Sequence, residues 1–167
     1  WIVFDRNDIA FNNEYEADDV DVDLDGDKIL TGRTLADGEF DFELYASDED
    51  GLEGLLLDTV SNTGGSFSFA LNYTEAGTYY YLIKEDVGTL GGVTYDLTVY
   101  LVEVIIIDNG AGELEEDGIT YMTLDESEEW VAANGLAFNN EYEADDVDVD
   151  LDGDKILTGR TLADGEF

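Results

Sequence analysis

Between residues 14 and 140 the sequence carries only three basic side chains, Lys28, Arg33 and Lys84, and the whole chain has no His and no Cys. Thiolate and imidazole chemistry are therefore absent, and with them the Ser–His relay and the ordinary zinc site, whose ligands are mainly those two residues. What remains for covalent chemistry is an amine, carboxylic acids and carboxamides. Held out of water, an amine shifts toward its neutral, nucleophilic form and a carboxyl toward its protonated acid. Set against an Asn carboxamide, such a pair can make an amide bond. The amine attacks, while the acid hydrogen-bonds the amide oxygen and shuttles protons to the leaving ammonia. The product is a Lys–Asn isopeptide crosslink, made once per domain and driven by proximity, with no turnover and hence no enzyme activity in the usual sense.

Strand parity nominates the residues, because successive strand side chains point to opposite faces. In the first predicted strand Val20, Val22 and Leu24 share the inner face and Asp21, Asp23 and Asp25 face water. The same parity past Gly26 turns Lys28 inward. Glu85 shares its parity with Tyr79, Tyr81 and Ile83, and Asn140 shares its parity with Leu136 and Phe138. A lysine on an apolar face is costly unless paired or neutralised. Singly, each residue has a plainer reading: Lys28 as a strand-end lysine paired with a surface carboxylate, Glu85 as a solvated charge, Asn140 as a turn residue. Only the set points to the crosslink.

The elements that must position this set are strands. Predicted strands cover 19–30, 39–46, 54–60, 66–71, 77–87, 93–108, 118–124 and 130–140, rich in Val, Tyr, Phe, Thr and Ile and punctuated by Gly, Asn and Asp. No helical period stands out. The expected fold is all-β, an immunoglobulin-like antiparallel β-sandwich. Residues 11–40 recur unchanged as 138–167. That repeat predicts a tandem array seen through a window: 1–13 the C-terminal strand of a preceding repeat, 14–140 a complete sandwich repeat, and 141–167 the N-terminal strand region of the following one. Asn13 and Lys155 are then incomplete copies of the reactive set whose partners belong to adjacent repeats. A unit this long exceeds solenoid repeats of about 20–45 residues and can hold its own core.

Composition bounds the partners. With 43 Asp and Glu against 6 Lys and Arg the formal charge is −37, which repels nucleic-acid phosphates and anionic lipid. An apolar fraction of 44% separates the chain from disordered sequences despite that charge. No apolar run is long enough to span a bilayer, so no membrane insertion is expected of this stretch. No cofactor is required, although calcium is a possible one: Asp48, Glu49, Asp50, Asp145 and Asp146 concentrate hard oxygen ligands in loops, with a solvated acidic surface as the plainer reading. Asp21-x-Asp23-x-Asp25-Gly26 imitates the start of an EF-hand loop, but the twelfth position is Gly32 and the segment alternates like a strand.

The stretches DKILTGRTLADGEFDFELY, AGTYYYLIKE, GGVTYDLTVYLVEV and FNNEYEA resemble the isopeptide-linked pilin domain family, typified by the major pilins of streptococci, across residues 14 to 140. The resemblance implies an immunoglobulin-like sandwich in which a first-strand lysine, Lys28, is bonded to a last-strand asparagine, Asn140, with Glu85 assisting. It also implies a structural repeat of an extracellular stalk, pilus-like fibre or filament on a bacterial surface, whose partners are neighbouring repeats of the same chain and identical filament subunits. A calcium-stiffened adhesin or matrix repeat without the crosslink is the rival expectation.

Overall fold

Alternation builds the first strand. In β1 (Val20–Thr31) the aspartates at every second position are exposed while Val22, Leu24, Gly26 and Lys28 are buried, the pattern of a strand with one face on a core. The structure, a computed structural model, describes residues 12–166. After β1 come β2 (Asp41–Ser47), β3 (Leu56–Ser61), β4 (Ser66–Tyr73), β5 (Gly77–Glu85), β6 (Val93–Thr94), β7 (Val99–Asp108), β8 (Leu114–Leu124), β9 (Trp130–Ala133) and β10 (Leu136–Tyr142). A four-stranded sheet has the order β4-β1-β10-β6 and a six-stranded sheet the order β3-β2-β5-β7-β8-β9. There is no helix among the described residues, and the all-β sandwich expected from the pattern is the architecture found.

The inner faces meet in an aromatic core. Phe42 of β2 stacks on Phe67 of β4 with ring centroids 3.8 Å apart, and Phe138 of β10 lies 5.3 Å from Phe42 and 5.3 Å edge-on from Tyr100 of β7. Each such buried ring contributes roughly 1.5–3 kcal/mol relative to leaving it in water. Gly26 makes room for the stack: a Cβ built on it would sit 2.1 Å from the tip of the Phe67 ring. A glycine in mid-strand normally weakens the strand, and here the missing side chain is the space the ring occupies.

The structure departs from the sequence expectations in three places. The single strand expected over 93–108 is two, β6 and β7, with residues 95–98 outside either ladder. The strand expected over 130–140 is also two, because the chain crosses from one sheet to the other at Gly135, whose φ of 150° suits a residue without a Cβ. Third, β10 does not pair antiparallel with β1: the two run parallel, with Lys28 opposite Phe138 and Leu30 opposite Asn140. Of the expected boundaries, the strand region of 1–13 falls largely on residues 1–11, which lie outside the described residues, and residues 12 and 13 are in no strand. The last strand passes the expected end at 140 and runs to Tyr142, and residues 143–166 form no strand.

Candidate functional site

Parallel pairing decides how the two candidate reactants meet. Because Lys28 is opposite Phe138 and Asn140 is opposite Leu30, Lys28 and Asn140 are diagonal neighbours on the same face of adjacent strands. That offset suits a lysine, whose four-carbon stem bridges a diagonal that a short side chain cannot. Glu85 closes the set from the facing sheet, at the end of β5 and opposite Phe42 of β2. The inward turn read from parity is found at all three positions: exposure is 2% for Lys28, 4% for Glu85 and 2% for Asn140.

One carboxylate holds both nitrogens. Glu85 Oε2 lies 2.5 Å from Lys28 Nζ, and Asn140 Nδ2 donates to Glu85 Oε1 at 2.5 Å. Lys28 Nζ also sits 4.3 Å from the centroid of the Phe40 ring and 5.9 Å from that of Phe42, so apolar rings wall the amine off from water. Burial pushes the Lys28 ammonium below its usual range, against the opposing pull of Glu85. The same burial pushes Glu85 above the usual carboxylic range, although hydrogen bonds from Lys28 and Asn140 work the other way. Both shifts favour the neutral pair, amine and acid, over ammonium and carboxylate. A buried ion pair is a poor source of stability in any case, since desolvation consumes most of its attraction.

The carboxamide is oriented differently from the sequence expectation. There the acid was to hold the amide oxygen; here Glu85 faces the amide nitrogen, and the oxygen Asn140 Oδ1 accepts the backbone N–H of Asp96 at 2.8 Å. Parity reasoning missed Asp96 because it sits in the interruption between β6 and β7. Its signal was Asp96-Leu97-Thr98, an Asp two residues before a Thr, which favours a local side-chain turn over a ladder. The Phe40 ring over the amine lies within the strand expected over 39–46, one residue ahead of the observed β2, and shares the inward parity of Phe42 and Leu44; parity gives its face but not its place over Lys28.

The remaining candidates are not gathered. Asn13 and Lys155 are both exposed. Among the described residues no group of three or more carboxylates is placed to hold a metal ion. Asp48 spends Oδ1 on the N–H groups of Asp50 and Leu52 and Glu49 and Asp50 are exposed beside it, while Asp145 and Asp146 line an open depression with Gly92 and Val93.

The site is thus a buried Lys–Glu–Asn set inside a two-sheet sandwich, with its lysine in the first strand and its asparagine in the last. The chain belongs to the family of Spy0128-like isopeptide-containing domains, FctA, whose model matches residues 24–143. Among solved structures it is similar to the major pilin of Streptococcus pyogenes, at 20% identity and a TM-score of 0.43 over 78% of this chain and 51% of that one. It is likewise similar to the T3.2 major pilin of that organism, at 21% identity and a TM-score of 0.49 over 72% and 52% of the two chains. The T-13 major pilin matches at 18% identity and a TM-score of 0.48 over 76% and 55%. The chain thus spans about half the length of the pilins it matches. A search of curated proteins gives no match. No helix among the described residues is long and apolar enough to cross a membrane.

Proposed function

We propose that residues 14–140 are one load-bearing repeat of an extracellular, pilus-like fibre or surface stalk, locked by an isopeptide bond between Lys28 and Asn140. The observation that carries the reading is the single buried carboxylate of Glu85 with one oxygen on the amine and the other on the amide nitrogen. In the neutral pair the Lys28 amine attacks Asn140 Cγ. The Nζ–Cγ bond forms and the Cγ–Nδ2 bond breaks. Glu85 takes the surplus proton from Nζ on one oxygen and delivers a proton to Nδ2 from the other, so ammonia leaves and the acid ends as it began. Held side by side, amine and amide need no encounter step, which is where proximity supplies its rate advantage.

The mechanical role follows from position. Lys28 is in β1 and Asn140 in β10, adjacent strands at the two ends of the unit. In a tandem array, tension enters at one and leaves at the other, and a covalent tie between them bypasses the hydrogen-bonded sheet. By analogy with disulfides, closing a loop of about 100 residues stabilises by roughly 4–5 kcal/mol in the chain-entropy model. The partners are neighbouring repeats and, in a fibre, identical subunits.

The test is the intact mass of the folded 167-residue chain under denaturing conditions, beside Lys28→Ala and Glu85→Ala. The expected result is a wild type lighter than its sequence by one ammonia and two variants at their full sequence mass. A folded wild type at full sequence mass would overturn the crosslink.

A further inference from the structure

Asp96 stands just outside the reactive trio and touches it with its main chain. Its N–H points at Asn140 Oδ1, 2.8 Å away, and this oxygen is the atom on which negative charge collects when an amine adds to the carboxamide. The residue is not a loose loop position. Asp96 Oδ1 accepts the N–H of Thr98 at 2.9 Å and the Thr98 hydroxyl at 2.6 Å, and Oδ2 accepts the N–H of Asn139 at 2.7 Å. That last bond ties the 95–98 segment to β10 at the residue next to Asn140. The carboxylate is well satisfied: burial pushes it up, but these hydrogen bonds outweigh burial and hold it below the usual range.

We propose that Asp96 supplies the oxyanion donor of the crosslinking reaction, through its backbone N–H, and that its carboxylate is the positioning group that aims that donor. This inference rests on the Lys28–Asn140 reading of the site. The division of labour is complete with it. Glu85 moves the proton between the two nitrogens and keeps its oxygens for them, so it cannot also neutralise the amide oxygen; the Asp96 N–H is the group that faces that oxygen. At 2.8 Å from the oxygen of the unreacted carboxamide, the N–H already stands beside the place where the oxyanion forms, and a donor is effective when it is about 2.7–3.1 Å from that place. Fixing Oδ1 on Asp96 also fixes which end of the carboxamide faces Glu85, so that Nδ2, the leaving group, meets the acid that protonates it. The break in the expected 93–108 strand thereby acquires a role: residues in a regular ladder would spend this N–H on a neighbouring strand.

The experiment replaces the amide N–H of residue 96 by an ester oxygen, using the α-hydroxy analogue of aspartate in cell-free synthesis of the full chain, and follows ammonia loss by intact mass after timed acid quenches. The wild type and Asp96→Ala are run in parallel. Near-UV circular dichroism of the same chains carrying Lys28→Ala, in which the bond cannot form, checks that the sandwich is assembled. The expected result is crosslinking slowed roughly a hundredfold by the ester, with native dichroism and the carboxylate still in place. Asp96→Ala, which keeps the N–H but frees the loop, should be slowed by a smaller factor. An ester chain that keeps pace with a crosslinking wild type overturns the role of Asp96 and leaves the bond standing. A wild type that never loses ammonia overturns the crosslink reading and this inference together.

Discussion

Residues 20–31 and 147–158 are the same twelve amino acids in the same order, and they do not have the same structure. The first copy is β1, with Leu24 fully buried and Val22 6% exposed. In the second copy, which forms no strand, Val149 is 71% and Leu151 92% exposed. Lys28 lies in the core and Lys155 at the surface. What differs is company: β1 is flanked by β4 and β10, whereas 147–158 pairs with no strand here. The loop that follows behaves in the opposite way. Arg33 clasps Glu39 and Arg160 clasps Glu166 with matching partners, including the N–H of Ala36 in one and of Ala163 in the other. Alternation therefore specifies which face a strand would bury, while the strand itself requires neighbours; the clasp is written in local sequence and forms without them.

The largest test of this contrast gives the second copy its neighbours. Appending a copy of residues 41–142 after Phe167 completes a second unit. Amide exchange in 147–158 should then slow by roughly a thousandfold or more, as a segment passes from exposed chain to globally protected core. The mass should show two lost ammonias in place of one, with Lys155 acquiring the role proposed for Lys28. Unchanged exchange in 147–158 would sink the argument that missing partners explain the difference.

Truncating one leucine at a time sharpens the same comparison. Leu24→Ala opens a cavity between the sheets and should cost about 2–5 kcal/mol. Leu151→Ala removes a side chain that touches almost nothing and should stay within about 0.5 kcal/mol. Urea melts of the two variants read the difference directly, and equal costs would mean that 147–158 is packed in solution.

This explains how far the sequence could be read. The face of every residue in β1 was legible, as were the inward turns of Lys28, Glu85 and Asn140, because period-2 alternation is a local property. The direction of β10 beside β1 was not, since parity is identical for parallel and antiparallel neighbours. Nor was the switch of sheets at Gly135, because Trp130 and Phe138 both belong to strand-like sequence and the turn between them occupies only Asn134 and Gly135. Asp96 was hidden for a related reason. Its short side chain draws the backbone out of the ladder, and alternation has nothing to say about a residue that has left it.

A second pair of substitutions moves from removing atoms to adding them. Gly26→Ala would place a methyl against the Phe67 ring and disturb its stack on Phe42, at a cost of about 1–3 kcal/mol. Gly153, its counterpart, has nothing within 4 Å of a built Cβ, and Gly153→Ala should leave the melt where it was. The pair separates a glycine kept for space from the same glycine with no neighbour to accommodate.

The smallest effect concerns the clasp, where the two copies should differ in consequence although they agree in geometry. The hydrogen bond from Arg33, the largest influence, holds the Glu39 carboxyl below its usual range against a weaker opposing push from burial. A carboxyl depressed in the folded state stabilises it above the unfolded value near 4.3 and loses that contribution as the pH falls through the lower, folded value. Glu39→Gln should therefore lower the melting temperature slightly at neutral pH and flatten the stability loss on the acid side of pH 4, with no change at a pH where both states are fully protonated. The pair is partly exposed, so solvent and salt reduce it to a few tenths of a kcal/mol, and raising the ionic strength should erase most of it. Glu166→Gln breaks the same clasp in a segment outside the sandwich, so the cooperative melt should not register it at any pH. A matching shift from both variants would mean that residues 160–166 are coupled to the folded unit and that the second copy already has company in solution.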